Sequence, residues 1–520
     1  MTLIKLTVKD RATKIFENWG HQANWFLLCS GFCCSILYFL LARLEIDGAP
    51  ERVTETLRHF MALLALLFVI LLVTACVIRK FAPTQPPRRI TIFMILGFAG
   101  LFRFLLLPQT PWLSNDIYRY LWDGQLLGQG VNPYALPPAA EELSRFRDAT
   151  IYPRMDHKNV HSVYPPFLQT LFWLGQQTSQ VFSLPPVVGL KFIFILIDLA
   201  LVGALFHGLA QLKLDPRWAV LYAWHPLPIV EIAGSGHTDG IGALMLVLTL
   251  IFLQQRKYFW AVFFLALGFL VKFIPVLFLP FLFLAVWQES HLPKAAGAAA
   301  LFALIILASY APFLSAGEKL WSGLLVYSDK WRFNDGFFSL VFSAIHALLP
   351  EALVQALMIP AGWEITEVVM TTRRIDLALL IVKVLGGGIF IFIYLRLLWQ
   401  LFKSKKGAGQ NWVNLFSSIF AAFFLLSPTL QPWYLLWLLP LLILQVTNEV
   451  HKGINRFVAP FLFILSATVF LSYWVLENYL QAGLWREPAW VKWVEYGIPA
   501  IVCLWIMHKI KLRVGSQNLH

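Results

Sequence analysis

Phe60-Met-Ala-Leu-Leu-Ala-Leu-Leu-Phe-Val-Ile-Leu-Leu-Val-Thr-Ala-Cys-Val-Ile78 runs for nineteen residues without a charge and is followed at once by Arg79 and Lys80. A helix rises about 1.5 Å per residue, so this stretch alone nearly crosses the roughly 30 Å hydrocarbon layer of a bilayer. Runs of the same kind recur at 90–107, 295–314 and 457–476. Across all 520 residues the chain is 59% hydrophobic and only 13% charged, with a mean hydropathy of +0.68, which excludes an ordinary soluble domain. A transmembrane β-barrel would show alternating segments of about ten residues, and no such alternation is present. The reading is an all-α polytopic membrane protein with about a dozen spans, the 21 Trp and 44 Phe suiting interfacial aromatic belts.

The first span falls at 25–41, with no small-residue cleavage pattern after it that would mark a removable leader. Cys29, Cys33, Cys34, Cys76 and Cys503 all sit in apolar runs, where they read as small packing residues, not disulfides or metal ligands. The net charge of +13 would suggest nucleic acid in a soluble protein, but here the basic residues crowd into short loops between spans. Lys5, Lys9, Arg11 and Lys14 precede the first span, and Arg79, Lys80, Arg88 and Arg89 separate the second from the third, so both places are cytoplasmic by the positive-inside rule. The third span then exits outward and delivers a polar segment of more than fifty residues, outer loop 1 at 108–165. From the other end, Lys509, Lys511 and Arg513 mark a cytoplasmic tail and Lys403, Lys405 and Lys406 a cytoplasmic loop, which places outer loop 2, 315–372, outside as well. Between 167 and 287 the pattern is interrupted: Gln169, Gln176 and Gln177 break one apolar run, and 258–287 is long enough for two half-spans. Broken helices are tolerated only where irregular backbone lines an enclosed cavity. With no internal repeat or soluble domain, residues 1–520 read as one membrane unit.

Chemistry is best sought in Ser114-Asn-Asp-Ile-Tyr-Arg-Tyr-Leu-Trp-Asp-Gly124, just after the third span. As a helix it puts Asp116, Arg119 or Tyr120, and Asp123 on one face. Two carboxylates around a guanidinium offer a general base and an anchor for phosphate; a solvated interfacial helix with a plain salt bridge would have the same spacing. Gly130-Val-Asn-Pro-Tyr134 and Val163-Tyr-Pro-Pro166 are turns, and Pro165-Pro166 suits a helix start because proline lacks the donor that would go unpaired there.

These motifs, followed in order by Gly236-His-x-Asp239, Leu270-Val-Lys-Phe-Ile-Pro275, Trp331-x-Phe-Asn334 and Pro428-Thr-x-x-Pro-Trp-Tyr434, resemble those of bacterial GT-C glycosyltransferases, most of all the polyprenyl-phosphate-mannose-dependent mannosyltransferases. The likeness covers about residues 90 to 445 and rests on order and loop position, since no single motif is diagnostic. It implies a bundle of about 11–13 transmembrane helices with two large outer loops and a functional acid in the first, which falls on Asp116. Members with paired acids at that place differ from this chain, where Asn115 precedes Asp116, so a divalent metal stays open and no cofactor is assigned.

Gly234-Ser-Gly-His-Thr-Asp239 lies at the outer end of a span, where an ionisable pair on glycine-rich backbone suits substrate contact and Asp239 equally suits a helix cap. Lys272, within an apolar run, should face a cavity, a carboxylate or a phosphate, or else snorkel to the interface. In outer loop 2, Tyr327-Ser-Asp-Lys-Trp-Arg-Phe-Asn-Asp335 combines Lys330 and Arg332 with aromatics and Asn334, a mixture suited to sugar and phosphate and also to an interfacial amphipathic segment. Trp433, in Gln431-Pro-Trp-Tyr434, fits a sugar site or an aromatic belt.

The expected function is an inverting glycosyltransferase of the bacterial inner membrane, active at its outer face. It moves a hexose, with mannose the expected sugar, from a polyprenyl-phosphate carrier to a glycan or lipid acceptor. Nucleotide sugars stay in the cytoplasm, so an outward-facing enzyme needs a lipid-carried donor. Asp116 is assigned as base, with Arg119, Tyr120, Asp123, Tyr164, His237, Asp239, Lys272, Arg332, Asn334 and Trp433 at the substrate, and Arg119, Lys272 or Arg332 offsetting charge on the leaving phosphate. The rival classes are a transporter or lipid flippase, which would place charges near mid-membrane, a lipid-linked oligosaccharide polymerase or ligase, and a non-catalytic assembly subunit.

Overall fold

The computed structural model describes residues 2–46, 50–81, 89–330, 332–404, 411–446 and 455–517. Arg88, Trp331, Lys405 and Lys406 lie outside the described residues, as do the side chains of Lys5, Lys9, Arg11, Lys14, those of residues 327–330, and those of Lys511 and Arg513. Among the described residues there is no strand, only an isolated bridge between Phe333 and Thr429. Among the described residues eight helices are long and apolar enough to cross a membrane, and their most apolar windows are only 17 to 50% buried, as lipid-facing spans must be. Four shorter apolar helices, Asp239–Gln254, Tyr258–Phe269, Trp412–Leu426 and Pro432–Gln445, accompany them. The chain is an all-α, polytopic integral membrane protein.

The first three helices, α1 (Thr2–Leu41), α2 (Pro50–Phe81) and α3 (Arg89–Leu106), form one side of the bundle. Cys29, Cys33 and Cys76 lie on exposed helix faces, while Cys34 and Cys503 are buried, and all are free thiols. Inside, α3 is bolted to a later span by charge. Arg103 is fully buried, with Nε 2.6 Å from Asp198 Oδ2 and Nη1 donating to the carbonyls of Ala99 and Ala223, while Tyr222 Oη donates to Asp198 Oδ1 at 2.6 Å. A lone charge there would be costly, and these partners offset both ions, Arg103 Nη2 alone making no hydrogen bond.

The segment after α3 does not lie solvated on the surface. Helix α4 (Asp116–Gly128) is buried along most of its length and packs against α5 (Pro166–Val181), which begins at the proline pair. Close approach depends on Gly124, where a Cβ would meet the Phe172 carbonyl oxygen at 2.6 Å. One turn earlier, Tyr120 stacks on Phe172 with ring centroids 4.8 Å apart. Helix α6 (Pro186–Gln211) carries Asp198 and is followed, from Ala219 onward, by a buried run of short turns that ends in a π-helix, Ile229–Gly234. Then come α7 (Asp239–Gln254) and α8 (Tyr258–Phe269). The helical run breaks over residues 270–273, where Lys272 lies, before a 3-10 turn, Ile274–Phe278, leads into α9 (Leu279–Tyr310). Within α9 the backbone kinks at His291 (φ 68°), two residues before Pro293.

The second long segment is helical too. Lys319–Lys330, Gly336–Leu348 and Glu351–Met358 fill it, the last two bent by 101°. They expose Leu325, Phe337, Leu340, Leu348 and Leu357, an apolar surface that a polar loop would not present, and the bent pair is apolar enough to be a broken span or a re-entrant loop. Helices α10 (Glu367–Lys403), α11 (Trp412–Leu426), α12 (Asn455–Thr468) and α13 (Ala489–Gln517) complete the bundle, with a 3-10 turn at Pro432–Trp437 between α11 and α12.

Candidate active site

Asp116 opens α4 and keeps its side chain 45% exposed while the rest of the helix is largely buried. The protein encloses it on its other sides. That enclosure pushes its carboxyl up to about 6, Lys272 pulls it back, and Asp156 and Asp239 push it further. A carboxylate so placed ionises in the neutral range while remaining a competent proton acceptor.

Lys272 reaches the same locality from the break after α8. Its Nζ lies 2.7 Å from Asp239 Oδ1 and 4.1 Å from the centre of the Tyr434 ring, and its side chain is 30% exposed. Asp239, the first residue of α7, is 3% exposed and also accepts from Trp437 Nε1 at 2.7 Å. The N-cap position of α7 belongs to Thr238, so of the two sequence readings the cap is set aside; Asp239 pairs with Lys272. The backbone leading to α7 is shaped by glycine. Gly236 has φ +79° and a Cβ there would meet Ile117 Cδ1 at 2.5 Å, which lets this loop press against α4. At Gly242 a Cβ would collide with the Trp437 ring at 1.9 Å.

His237, in that loop, is 1% exposed and stacks on Trp433 with centroids 3.7 Å apart and an interplanar angle of 17°. Its Nδ1 is 3.9 Å from Asp116 Oδ2 and its Nε2 is 3.4 Å from Glu231 Oε2. Burial, and then Lys272 nearby, hold the ring well below the usual imidazole range, so it is neutral. Glu231 lies on the π-helix, fully buried, with both oxygens 3.0 Å from Tyr473 Oη. Sequence reasoning passed over Glu231; the signal was a lone acid within an apolar run, Ile229-Val-Glu-Ile232. Trp433, Tyr434 and Gln431 face the interior and not an aromatic belt, Gln431 and Tyr434 being buried and Trp433 partly so.

The remaining sequence candidates fall into two other groups. Arg119 and Asp123 form a buried pair, Nε to Oδ1 at 2.9 Å. Arg119 Nη1 donates to the Val160 carbonyl at 2.9 Å, and Asp123 Oδ2 accepts from Ser162 Oγ and from Gln169 Nε2. These bonds pin α4 to the returning chain and to α5. Tyr120 is 3% exposed and meets Tyr164 edge to face at 4.9 Å, so these two rings line the wall behind α4. Arg332 and Asn334 join a separate knot: Arg332 pairs with Asp335, Lys492 Nζ is 2.6 Å from Asp335 Oδ1, and Asn334 Nδ2 donates to the buried Glu495 at 2.6 Å. Thus Asp116, His237, Asp239, Lys272 and Trp433 come together, whereas Arg119 and Asp123 fasten the helix, Asn334 and Asp335 tie the second long segment to α13, and Arg332 is held by Asp335 within that segment. Asp156 accepts from Asn115 Nδ2 at 3.3 Å and so brings a second acid beside Asp116. Among the described residues no group of three or more His, Cys, Asp and Glu is gathered to hold a metal ion.

Two family descriptions fit this chain. "Alpha-(1->6)-mannopyranosyltransferase, N-terminal domain" matches residues 29–288, and "MptB C-terminal domain" matches residues 361–474. No curated protein matches it.

Proposed function

Because the chain belongs to the alpha-(1->6)-mannopyranosyltransferase family and is a membrane-embedded mannosyltransferase, we propose that its donor is a polyprenyl-phosphate mannose and that transfer takes place at the outer face of the cytoplasmic membrane. The observation that carries this reading is the gathering of a carboxylate open on one side, Asp116 against His237, and a partly exposed cation, Lys272 on Asp239, at the two ends of the short loop that leads into α7. Asp116 removes the proton from an acceptor hydroxyl, the freed oxygen bonds to the anomeric carbon, and the bond from that carbon to the phosphate oxygen breaks. The electron pair leaves with the lipid phosphate, whose growing charge Lys272 offsets. Arg119 is buried against Asp123 and Arg332 belongs to the separate knot with Asp335, whereas Lys272, though paired with Asp239, is partly exposed in the locality of Asp116.

A single displacement inverts the anomeric centre. An α-(1→6) product, the linkage in the family's name, therefore calls for a β-linked donor, and the acceptor is a mannose-bearing glycan or lipid presenting its primary hydroxyl. The two matched parts meet where His237 stacks on Trp433, which supports a single enzyme unit. The buried charges inside the bundle do not argue for transport, because Arg103 and Asp198 are closed on each other and on neighbouring carbonyl and hydroxyl groups.

The test is transfer by purified protein in detergent, with an alkyl α-mannoside as acceptor and three donors: polyprenyl-phosphate β-mannose, its α-anomer and a nucleoside-diphosphate mannose. Product from the β-linked lipid alone is expected. Turnover of the nucleotide donor, or of the α-anomer at a comparable rate, would remove the lipid-donor or the inverting part of the reading.

A further inference from the structure

Glu231 is a fully buried acid that the transfer step does not use, and it sits behind the residue that does. It occupies the π-helical turn, a geometry that recurs at functional sites because it re-aims a side chain that an α-helix would point elsewhere. Its polar contacts are the Tyr473 hydroxyl and the His237 ring, and no lysine or arginine charge acts on it. A carboxyl enclosed in this way is better satisfied as the neutral acid, which has a proton to donate.

His237 connects this acid to Asp116. The ring is 1% exposed, its plane is fixed by the Trp433 stack, and its backbone N–H donates to the Glu231 carbonyl at 2.8 Å. Neither ring nitrogen has a hydrogen bond, although a carboxyl oxygen lies near each, Glu231 Oε2 at 3.4 Å from Nε2 and Asp116 Oδ2 at 3.9 Å from Nδ1. In a site without substrate, catalytic hydrogen bonds are commonly long and tighten on binding.

We propose that His237 is a positioning residue for Asp116: the Glu231 acid donates to Nε2, which leaves the ring proton on Nδ1 to donate to the Asp116 carboxylate and aim its free oxygen at the acceptor. The inference rests on Asp116 being the base. A neutral imidazole carries one proton, and whichever nitrogen accepts leaves the other to donate. The other groups acting on Asp116 are Lys272 from the break after α8, Asp239 on α7, Asp156 in the preceding loop, Tyr120 on α4 and Tyr473 beyond α12. None of these changes in the variants below, so a shift in the pH profile reads the Nδ1 donation alone.

His237→Phe keeps a flat ring against Trp433 and removes both nitrogens. It should lower kcat about 10- to 100-fold with polyprenyl-phosphate β-mannose while KM for that donor moves less than about twofold. The acid limb of kcat/KM should also rise by about one pH unit, because a hydrogen bond to the charged form is lost. Glu231→Gln retains an N–H for Nε2 and an oxygen for Tyr473, and should turn over at least about tenfold faster than Glu231→Leu, which retains neither. An unmoved acid limb in a folded His237→Phe, or equal damage in Glu231→Gln and Glu231→Leu, overturns the proposal. Should His237→Phe not fold, the Glu231 pair decides. Asp116→Asn in the same assay separates the two levels: if it remains active the base assignment falls and this inference with it, and if it is inactive while the His237 and Glu231 outcomes fail, only the positioning role falls.

Discussion

The two long inter-span segments differ in what fastens them. The first, 108–165, is drawn into the bundle by buried polar bonds: Arg119 to Asp123 and Val160, and Asp123 to Ser162 and Gln169. The second, 315–372, is tied by a buried polar knot around Asn334 and Asp335 and by more exposed bonds from Glu351 to Arg374 on α10 and from Ser315 to Asn132, with Leu349 and Val354 packed on α10. Over much of its length it turns apolar side chains outward, Leu348 being 80% exposed. Directional bonds fix position, whereas apolar contact tolerates sliding, and the segment that presents Asp116 is the one held by directional bonds. Two polar stretches of similar length in the sequence thus have different physical tasks.

The comparison can be broken first at Asp116. Asp116→Asn keeps the shape and one acceptor oxygen but cannot take a proton, so mannosyl transfer should fall about 10² to 10⁴-fold. Thermal stability in detergent should change by less than about 1 kcal/mol, since the side chain is half open. In the parent enzyme the active form is the ionised one and its carboxyl is pushed up to about 6, so kcat/KM should hold above that pH and fall tenfold per unit below it. Seven residues on, the expected failure is of a different kind. Asp123→Ala leaves Arg119 buried without its partner, a loss of about 3 to 5 kcal/mol that should appear as low yield and early unfolding. Loss of stability at Asp116 with none at Asp123 would reverse the assignment of the two acids. The smallest effect belongs to the second segment, where Leu348→Ser should alter stability in detergent by no more than about 0.5 kcal/mol. A loss of several kcal/mol there would mean that this segment, too, is packed into the bundle.

The spans were legible in the sequence because hydrocarbon imposes a length and a composition that nothing else in the chain imitates, as at 60–78. Breaks were legible as well: 258–287 divides at residues 270–273, in the expected interval. Spacing on α4 showed that Asp116, Arg119 and Asp123 share a face, but not that one carboxylate would open to solvent and the other close on arginine, because that depends on α5 and on the chain returning at Val160 and Ser162. Lys272 was expected to meet a carboxylate or a phosphate, and Asp239, thirty-three residues away, is the carboxylate it meets. Glu231 was missed because a single acid within an apolar run looks like noise until a π-turn and Tyr473 show where it points. Arg332 and Asn334 looked like substrate residues on composition; Arg332 meets Asp335 three positions on, whereas the acidic partner of Asn334, Glu495 on α13, lies more than 150 positions away, beyond any local reading.

Whether lipid phosphate and acceptor meet between Asp116 and Lys272 is the central claim, and a cryo-EM structure with a phosphonate analogue of polyprenyl-phosphate β-mannose tests it most directly. The account predicts phosphonate oxygens within about 4 Å of Lys272 Nζ, with the anomeric carbon turned to the side on which Asp116 lies. A headgroup held at Arg332 and Lys492 instead, with Lys272 still closed on Asp239 and no sugar beside Asp116, would contradict it.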